Sequence, residues 1–269
     1  MSFFPWKASR LRCGGERGIP ARTAPPTAPF PRSRRPRYPR HTGSTDCPGN
    51  ERRLQRMKRP IALPPWPDPD PFEDPIAMAL VREVCERDPR GLSAAGVANR
   101  AGVSLAEFKE RFDSFDACLL DTFERFIAAY EHRVGSAFNA HSDWRTGFRA
   151  AAYEAAAWIE ENPVLTDFGA AQVLSLENEM VRVRREELFL RSAEMIDRGR
   201  EEAPDPGSVP EAAAMLAIGS ILQLLTHRLQ ARVPLDVRRT VPEMLHGVMR
   251  VYLGDEAAEE ELALAPPPT

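Results

Sequence analysis

Residues 93–112 read SAAGVANRAGVSLAEFKERF, a segment that carries two helix signals separated by a tight turn. A helix is predicted to begin after Ser93 and to end at Gly102, because glycine readily adopts the left-handed backbone that closes a helix. Ser104 then caps a short second helix, with Glu107 three residues later in the capping-box pattern. This order predicts a helix-turn-helix pair, whose second helix enters the DNA major groove.

The flanking sequence extends this pair into an all-α fold. Apolar residues recur at intervals of three and four residues, and no useful run of β-branched alternation is present. A preceding helix is predicted to begin at Asp74, as its N-cap, and to end before Gly91. After a break, Asp116 is expected to cap a long helix that runs to about Asn139. Further helices are predicted over 144–161, 163–174, 177–200, 210–231 and 237–253, which gives about nine in all.

Both ends of the chain are predicted to be extensions of the folded part. Residues 1–60 hold 15 basic and three acidic side chains, and 16 of the 26 prolines precede Ile76. We therefore expect a disordered, basic, proline-rich leader over 1–73 and a disordered acidic, proline-ending tail over 255–269. Between them lie a helix-turn-helix domain at 74–133 and a second helical domain at 134–254. The leader's composition suits nucleic-acid contact and equally an unstructured or untranslated extension; its candidate contacts are Arg52, Arg53, Arg56, Lys58 and Arg59.

The segment VANRAGVS at 97–104, followed by Phe108, Phe112, Asp116 and Leu119, resembles the DNA-binding domain of the tetracycline-repressor (TetR) family of transcriptional regulators. The resemblance covers about residues 74–126 and continues only in helix count and length. It implies a sequence-specific regulator of the repressor type, which binds a palindromic double-stranded DNA operator as a homodimer and is released by a small-molecule effector. The residues predicted to contact DNA, from the resemblance and from their place on the helix-turn-helix pair, are Ser93, Ala94, Arg100, Ser104, Leu105, Ala106, Glu107, Lys109, Arg111 and Phe115.

Two positions depart from the family pattern. Lys109 stands where the family usually has tyrosine, and Phe115 where it usually has lysine. Residues 76–133 also carry 8 basic and 10 acidic side chains, whereas phosphate neutralisation supplies much of a DNA-binding protein's affinity. The alternative function is therefore a helical dimer of the same fold that senses a ligand or partner and binds DNA weakly or not at all.

The resemblance also implies that the later helices bind the effector and pair two subunits. Two wide apolar stripes at the end of the chain fit a homodimer, and burial within one subunit explains them almost as well. The predicted interface residues are Met215, Ile218, Gly219, Leu222, Leu225, Leu245, Val248, Met249 and Tyr252. For an unknown small hydrophobic effector, the candidate pocket residues are Phe148, Tyr153, Trp158, Phe168, Met180, Phe189 and Met195, which a helical core would also require.

The sequence gives no indication of catalysis or of a cofactor. It contains no glycine-rich phosphate loop, no H-E-x-x-H or G-x-S-x-G motif, and five scattered histidines, so neither a catalytic nor a metal site is predicted. The four cysteines share no C-x-x-C spacing. The longest stretch without charge, residues 212–227, is short for a membrane span, and the N-terminus lacks a signal-peptide core. We therefore predict a cytoplasmic protein that is not an enzyme and has no membrane partner.

Overall fold

A computed structural model describes residues 60–68, 70–234 and 236–267 and has no strand in these ranges. The predicted all-α fold with an N-terminal helix-turn-helix pair is confirmed, with ten α-helices in the described ranges instead of about nine. They are α1 (Pro75–Glu86), α2 (Ala94–Ala101), α3 (Leu105–Arg111), α4 (Phe115–Asn139), α5 (Trp144–Glu161), α6 (Pro163–Ala170), α7 (Glu179–Asp197), α8 (Ala213–Gln230), α9 (Val241–Tyr252) and α10 (Asp255–Ala263).

The caps of α1 to α3 form as the sequence predicts. The Asp74 carboxylate accepts the first amides of α1, and the Ser93 hydroxyl accepts the Gly96 amide of α2. Gly102 adopts φ 74°, a left-handed conformation that costs an L side chain strain, and closes α2. Ser104 and Glu107 form the predicted capping box at the start of α3. These local hydrogen bonds fix the turn that sets the angle between α2 and α3.

Several helix boundaries differ from the predicted ones. The long helix α4 is capped by Ser114, whose hydroxyl accepts the Ala117 amide at 3.1 Å, and not by Asp116. Ser114 is the N-cap because its backbone is extended, which directs its hydroxyl at the amides of the first turn. Helices α6 to α9 are shorter than predicted, and 3-10 turns at Gln172–Leu176, Arg198–Glu201 and Arg238–Thr240 occupy several of the predicted helix ends.

The predicted disordered C-terminal tail is wrong for its first half, because residues 255–263 form α10. Glu261 of this helix is fully buried and is paired with Arg149, while Arg145 lies 3.7 Å from the same carboxylate. Arg145 also pairs with Glu260 at 2.8 Å. The acidic residues that made the segment read as a tail are the groups that attach it to two arginines of α5.

The predicted leader is also wrong at its C-terminal end, where residues 60–68 and 70–73 are packed against the helices. Pro71 is buried, and the backbone of Ile61 is hydrogen-bonded to the Asn139 side chain at the end of α4. Proline prevents helix here, but an extended proline-rich chain can still pack and use its carbonyls. The expectation for residues 1–59, including the five basic candidates at 52–59, lies outside the described residues.

The buried residues form two clusters that position the helix-turn-helix pair. The first combines α1 to α4 with Leu165, Phe168, Val173 and Val181, so the predicted boundary after residue 133 is not a boundary of this core. The second joins the later part of α4 with α5 and α7 to α10. They are called the reading core and the effector core, after the roles that the sequence resemblance predicts for their helices. Over the described ranges, no helix has the length and apolar character needed to cross a membrane.

Candidate nucleic-acid interface

Helix α3 turns one face into the reading core and the other to solvent. Phe108 is completely buried and Phe112 nearly so, with their rings 5.5 Å apart. On the opposite face Ala106 and Lys109 are exposed, and Leu105 is 40% exposed in spite of its apolar side chain. These three side chains form the surface that α3 can offer to a DNA groove, with Leu105 and Ala106 suited to contact with a thymine methyl group.

The capping residues predicted at the DNA are already engaged within the protein. The Ser104 hydroxyl accepts the Glu107 amide at 3.1 Å, and the Glu107 carboxylate accepts the Ser104 amide at 2.7 Å. This hydrogen bond lowers the pKa of Glu107, which keeps the carboxylate charged. Ser93 is exposed at the start of α2, and Ala94 is half-buried against the reading core.

Arg111, predicted to contact DNA, is bound to Asp74 in the folded protein. Its guanidinium donates two hydrogen bonds to the Asp74 carboxylate and lies 4.9 Å from the Phe112 ring. Arg125 of α4 pairs with Asp74 at 2.8 Å and with Asp121 at 2.8 Å. Burial acts to raise the pKa of Asp74, but the hydrogen bonds from the two arginines prevail and hold the pKa below its usual value. Asp74 therefore joins the start of α1 to the end of α3 and to α4.

A second buried carboxylate engages Arg100, another predicted DNA contact. Glu83 of α1 is buried; it accepts a hydrogen bond from Arg100 at 2.7 Å and forms an ion pair with Arg87 at 2.8 Å. Arg100 also pairs with Glu86 at 2.8 Å. A Cβ atom on Gly96 would lie 3.3 Å from a Glu83 carboxylate oxygen, so glycine leaves room for this network. The network fixes α2 against α1.

The remaining predicted contact, Phe115, is half-buried and packs against the reading core at the start of α4. Among the described cations of the helix-turn-helix unit, Lys109 and Arg82 are exposed and have no ion pair in those ranges. Sequence reasoning missed the pairing roles of Asp74 and Glu83. Asp74 has a recognisable cap signal, but its arginine partners lie 37 and 51 positions away, and no local pattern reveals them.

The structure distributes the predicted effector residues over different surroundings. Phe148 and Tyr153 are buried in the effector core, where Met195 packs, whereas Phe168 belongs to the reading core. Met180 is 53% exposed and Phe189 is half-buried. The structure therefore divides these candidates between the two cores and the surface, and the pocket stays a prediction.

Trp158 has a distinct environment among these candidates. It is 2% exposed and meets Phe126 and Tyr130 of α4 with ring centres 6.1 and 6.0 Å away. Its indole N–H and the Tyr153 hydroxyl are buried and have no hydrogen-bond partner in the described part of the chain. A buried polar group without a partner is uncommon in proteins, so these two atoms are the polar groups to which a bound ligand could add an acceptor.

The predicted dimer surface is partly wrong, because α9 turns most of its apolar stripe inward. Leu245, Val248, Met249 and Tyr252 are buried in the effector core of the single chain, and Leu225 is also buried. The apolar surface left exposed is instead a groove of about 400 Å³ between α8 and α9, here the α8–α9 groove. Its lining includes Leu216, Ala217, Ser220, Ile221, Leu224, Gly247 and Val251, with Val248 and Tyr252 below them.

Neither a metal centre nor a reactive thiol is present in the ranges that the structure describes. No group of three His, Cys, Asp or Glu side chains there could hold a metal ion. Cys85 and Cys118 are free thiols, and burial raises the pKa of each to about 12, so both stay protonated at neutral pH.

Comparison with known proteins identifies the fold. No family model matches the chain. No curated protein matches it significantly. Among solved structures, the fatty acid degradation regulator FadR from Bacillus halodurans is similar, with a TM-score of 0.58, 14% identity, and 68% of this chain and 96% of that chain covered. A TetR family transcription regulator from Marinobacter aquaeolei VT8 gives a TM-score of 0.50, 19% identity and 66% and 93% coverage. The chain has the fold of the TetR-type regulators, as the helix-turn-helix sequence predicts.

Proposed function

We propose that the protein is a DNA-binding transcription regulator of the TetR type that reads a palindromic operator with α3. The observation that carries this proposal is the exposed face of α3, where Leu105, Ala106 and Lys109 project from a helix-turn-helix pair with its turn closed by Gly102. The two similar structures are described as regulators, and neither is described as an enzyme, which supports the same class. A role as a repressor acting in the cytoplasm belongs to this proposal.

The proposed regulator is a homodimer that joins through the α8–α9 groove. Leu216 is 67% exposed and Leu224 41% exposed on α8, and Val251 is 44% exposed on α9. Exposed apolar surface of this kind supports a protein interface at the groove. A two-fold dimer places two copies of α3 on successive major-groove faces, so the operator should be palindromic with half-sites about one DNA turn apart.

A small apolar effector completes the proposed function by shifting the equilibrium between DNA-binding and released forms. The unpartnered Trp158 indole N–H and Tyr153 hydroxyl support an effector with an acceptor oxygen. Fatty acids are the first compounds to test, because one similar structure is described as a fatty acid degradation regulator. Binding should change the tryptophan fluorescence and lower operator affinity.

The test of the proposal is selection of bound sequences from a random DNA pool, followed by titration of the enriched duplex against salt. A specific regulator should enrich a palindrome and lose affinity steeply as salt rises, because bound phosphates release counterions. The alternative, a sensor of the same fold without DNA binding, is favoured by the internal pairing of Arg100 and Arg111. Absence of any enriched sequence would favour that sensor.

A further inference from the structure

The segment before α1 runs along the outside of α4. Residues 60–68 and 70–72, here the strap, begin where α4 ends. The Ile61 amide donates to the Asn139 side-chain oxygen at 2.8 Å, and the Asn139 side-chain amide donates to the Ile61 carbonyl at 2.8 Å. One asparagine thus satisfies both backbone groups of Ile61, in the way that a neighbouring strand would. This double hydrogen bond anchors the N-terminal end of the strap.

The middle of the strap fits against two consecutive turns of α4. A Cβ atom on Gly135 would overlap a terminal methyl of Leu63, so the glycine provides the space that this leucine fills. One turn earlier, a ring N–H of His132 donates to the Pro64 carbonyl at 2.9 Å, and the Trp66 ring meets His132 edge-on at 5.8 Å. Steric fit, hydrogen bonding and ring contact therefore hold the same segment in one register.

The two ends of the strap contact the two cores. Ile61 packs against the effector core and Phe72 against the reading core. Phe72 also meets Trp158 of α5 edge-on, with ring centres 5.4 Å apart. Trp158 is the buried residue whose indole N–H has no partner in the described ranges. A change around Trp158 therefore reaches Phe72 directly.

Phe72 is connected to the DNA-reading pair through a short rigid turn. The Asp70 side chain accepts the Phe72 amide at 2.8 Å and the Trp66 indole N–H at 3.0 Å. The Asp70 carbonyl then accepts the Asp74 amide at 3.1 Å. Asp74 caps α1 and holds Arg111 of α3. The strap thus leads in two residues from Phe72 to the carboxylate that fixes the reading helix.

We propose that the strap is the positioning element that sets the helix-turn-helix pair relative to the effector core. In the docked state it ties α1 and α3 to Trp158 and to the far end of α4. In the released state Phe72 leaves Trp158, and α1 is held by the reading core alone. Any ligand that separates Trp158 from Phe72 favours the released state by its differential affinity. The link to operator affinity rests on the proposed function, whereas the positioning of α1 does not.

Replacement of Gly135 tests the strap without weakening α4. Gly135→Leu places a side chain where Leu63 lies, while leucine is a better helix former than glycine. Hydrogen exchange of the Ile61 and Phe72 amides, the hydrogen-bonded backbone amides of the described strap, should accelerate by about tenfold or more as the strap opens. The amides of Ile76 and Ala77 donate hydrogen bonds to the Asp74 carboxylate, and their exchange should also accelerate. Operator affinity should fall by about five- to tenfold, an ordinary coupling between sites.

Two further variants separate strap release from local damage. Leu63→Ala combined with Gly135→Leu exchanges the large and small partners and should restore protection of the strap and of α1. Asn139→Ala removes the double hydrogen bond at the last residue of α4 without adding bulk, and should act in the same direction as Gly135→Leu. Thermal unfolding of each variant reports that the fold is retained.

The outcomes distinguish this inference from the proposed function. Faster exchange confined to residues 61–72, with Ile76, Ala77 and operator affinity unchanged, would mean that the strap is only a surface cover and would overturn the inference. The inference would also be overturned if the strap amides of the wild-type protein already exchanged without protection. If the wild type binds no DNA, the proposed function fails, and the response of the α1 amides to Gly135→Leu still decides the role of the strap.

Discussion

The helix-turn-helix end and the α8–α9 groove differ in how far their apolar side chains are buried within one chain. At the first end the large apolar side chains Phe108 and Phe112 are buried, and most arginines are paired with Asp74 or Glu83. The face that α3 exposes is small and carries both apolar and basic side chains. On α8, by contrast, Leu216 and Leu224 are exposed. The difference fits the proposal that the first region contacts DNA and the second contacts another copy of the chain.

Removal of the Asp74 carboxylate should have the largest effect on the stability of the helix-turn-helix end. Asp74→Ala leaves α1 without its cap and removes the charge that pairs with Arg111 and Arg125, so we expect a loss of about 3 kcal/mol in the free energy of unfolding. Asp74→Asn keeps a capping side chain and should cost less. Urea unfolding of the two variants measures both. Equal stability of Asp74→Ala and the wild type would contradict the pairing.

Charged substitutions in the α8–α9 groove should have a comparably large effect on the proposed dimer. Leu216→Glu combined with Leu224→Glu places two carboxylates in the α8–α9 groove, and we expect dimer dissociation to rise by about 100-fold or more because unpaired buried charges are costly. Sedimentation analysis over a range of concentrations measures this. Met180→Glu, on an exposed methionine of α7, is the matched control. Dimers that survive the double change would place the interface elsewhere.

Acid should weaken the Asp74 network in a defined pH range. Burial acts to raise the pKa of Asp74, and the bonds from Arg111 and Arg125 lower it by more, so the folded-state pKa lies below the unfolded value. The contribution of Asp74 is therefore fully present above about pH 4 and is lost as pH falls further, through the folded pKa. Unfolding free energies measured from pH 6 to pH 2 should fall less steeply for Asp74→Asn than for the wild type.

A smaller effect is expected at the turn between α2 and α3. Gly102→Ala forces a side chain into a left-handed backbone and should cost about 1 kcal/mol of unfolding free energy. Gly91→Ala is a matched control, because Gly91 has no positive φ and a Cβ there would meet nothing within 4 Å. The difference in urea midpoint between the two variants isolates the backbone strain. If both variants unfold alike, the turn is not strained.

The smallest expected effect distinguishes two basic residues of α3. Lys109→Ala should reduce the slope of log affinity against log salt by about 1 and leave stability unchanged, because Lys109 is exposed. Arg111→Ala should lower stability, since it frees Asp74, and should change the salt slope little. Operator titrations at several salt concentrations, together with unfolding curves, separate the two. A reversal of the two results would show that Arg111 exchanges Asp74 for phosphate at the DNA.

Local sequence signals predicted the fold where short-range hydrogen bonds decide it. The Asp74, Ser93 and Ser104 caps and the Gly102 turn involve residues two to four positions apart, and all form as predicted. The periodicity of α5 gave both of its ends, Trp144 and Glu161. Such features depend on neighbours in the chain, so one sequence suffices to place them.

Features that depend on partners distant in the chain could not be predicted from the sequence. Glu261 reads as one acid in an acidic tail until Arg149, 112 positions earlier, is brought beside it. The inward turn of the Leu245 and Met249 stripe follows from packing on α5, which periodicity cannot distinguish from a dimer face. The candidate DNA contacts divided in the same way: exposure of Lys109 fits its predicted role, whereas Arg111 pairs with an acid that no local pattern connects to it.

The course of the strap also makes it a brace along α4. Docked, it fixes Ile61 beside Asn139, about 36 Å along α4 from Phe115. Phe72 lies eleven residues after Ile61 and packs against the reading core. Because both of its ends are held, the strap resists a change in the angle between α4 and α1, and its proposed release would give that angle freedom.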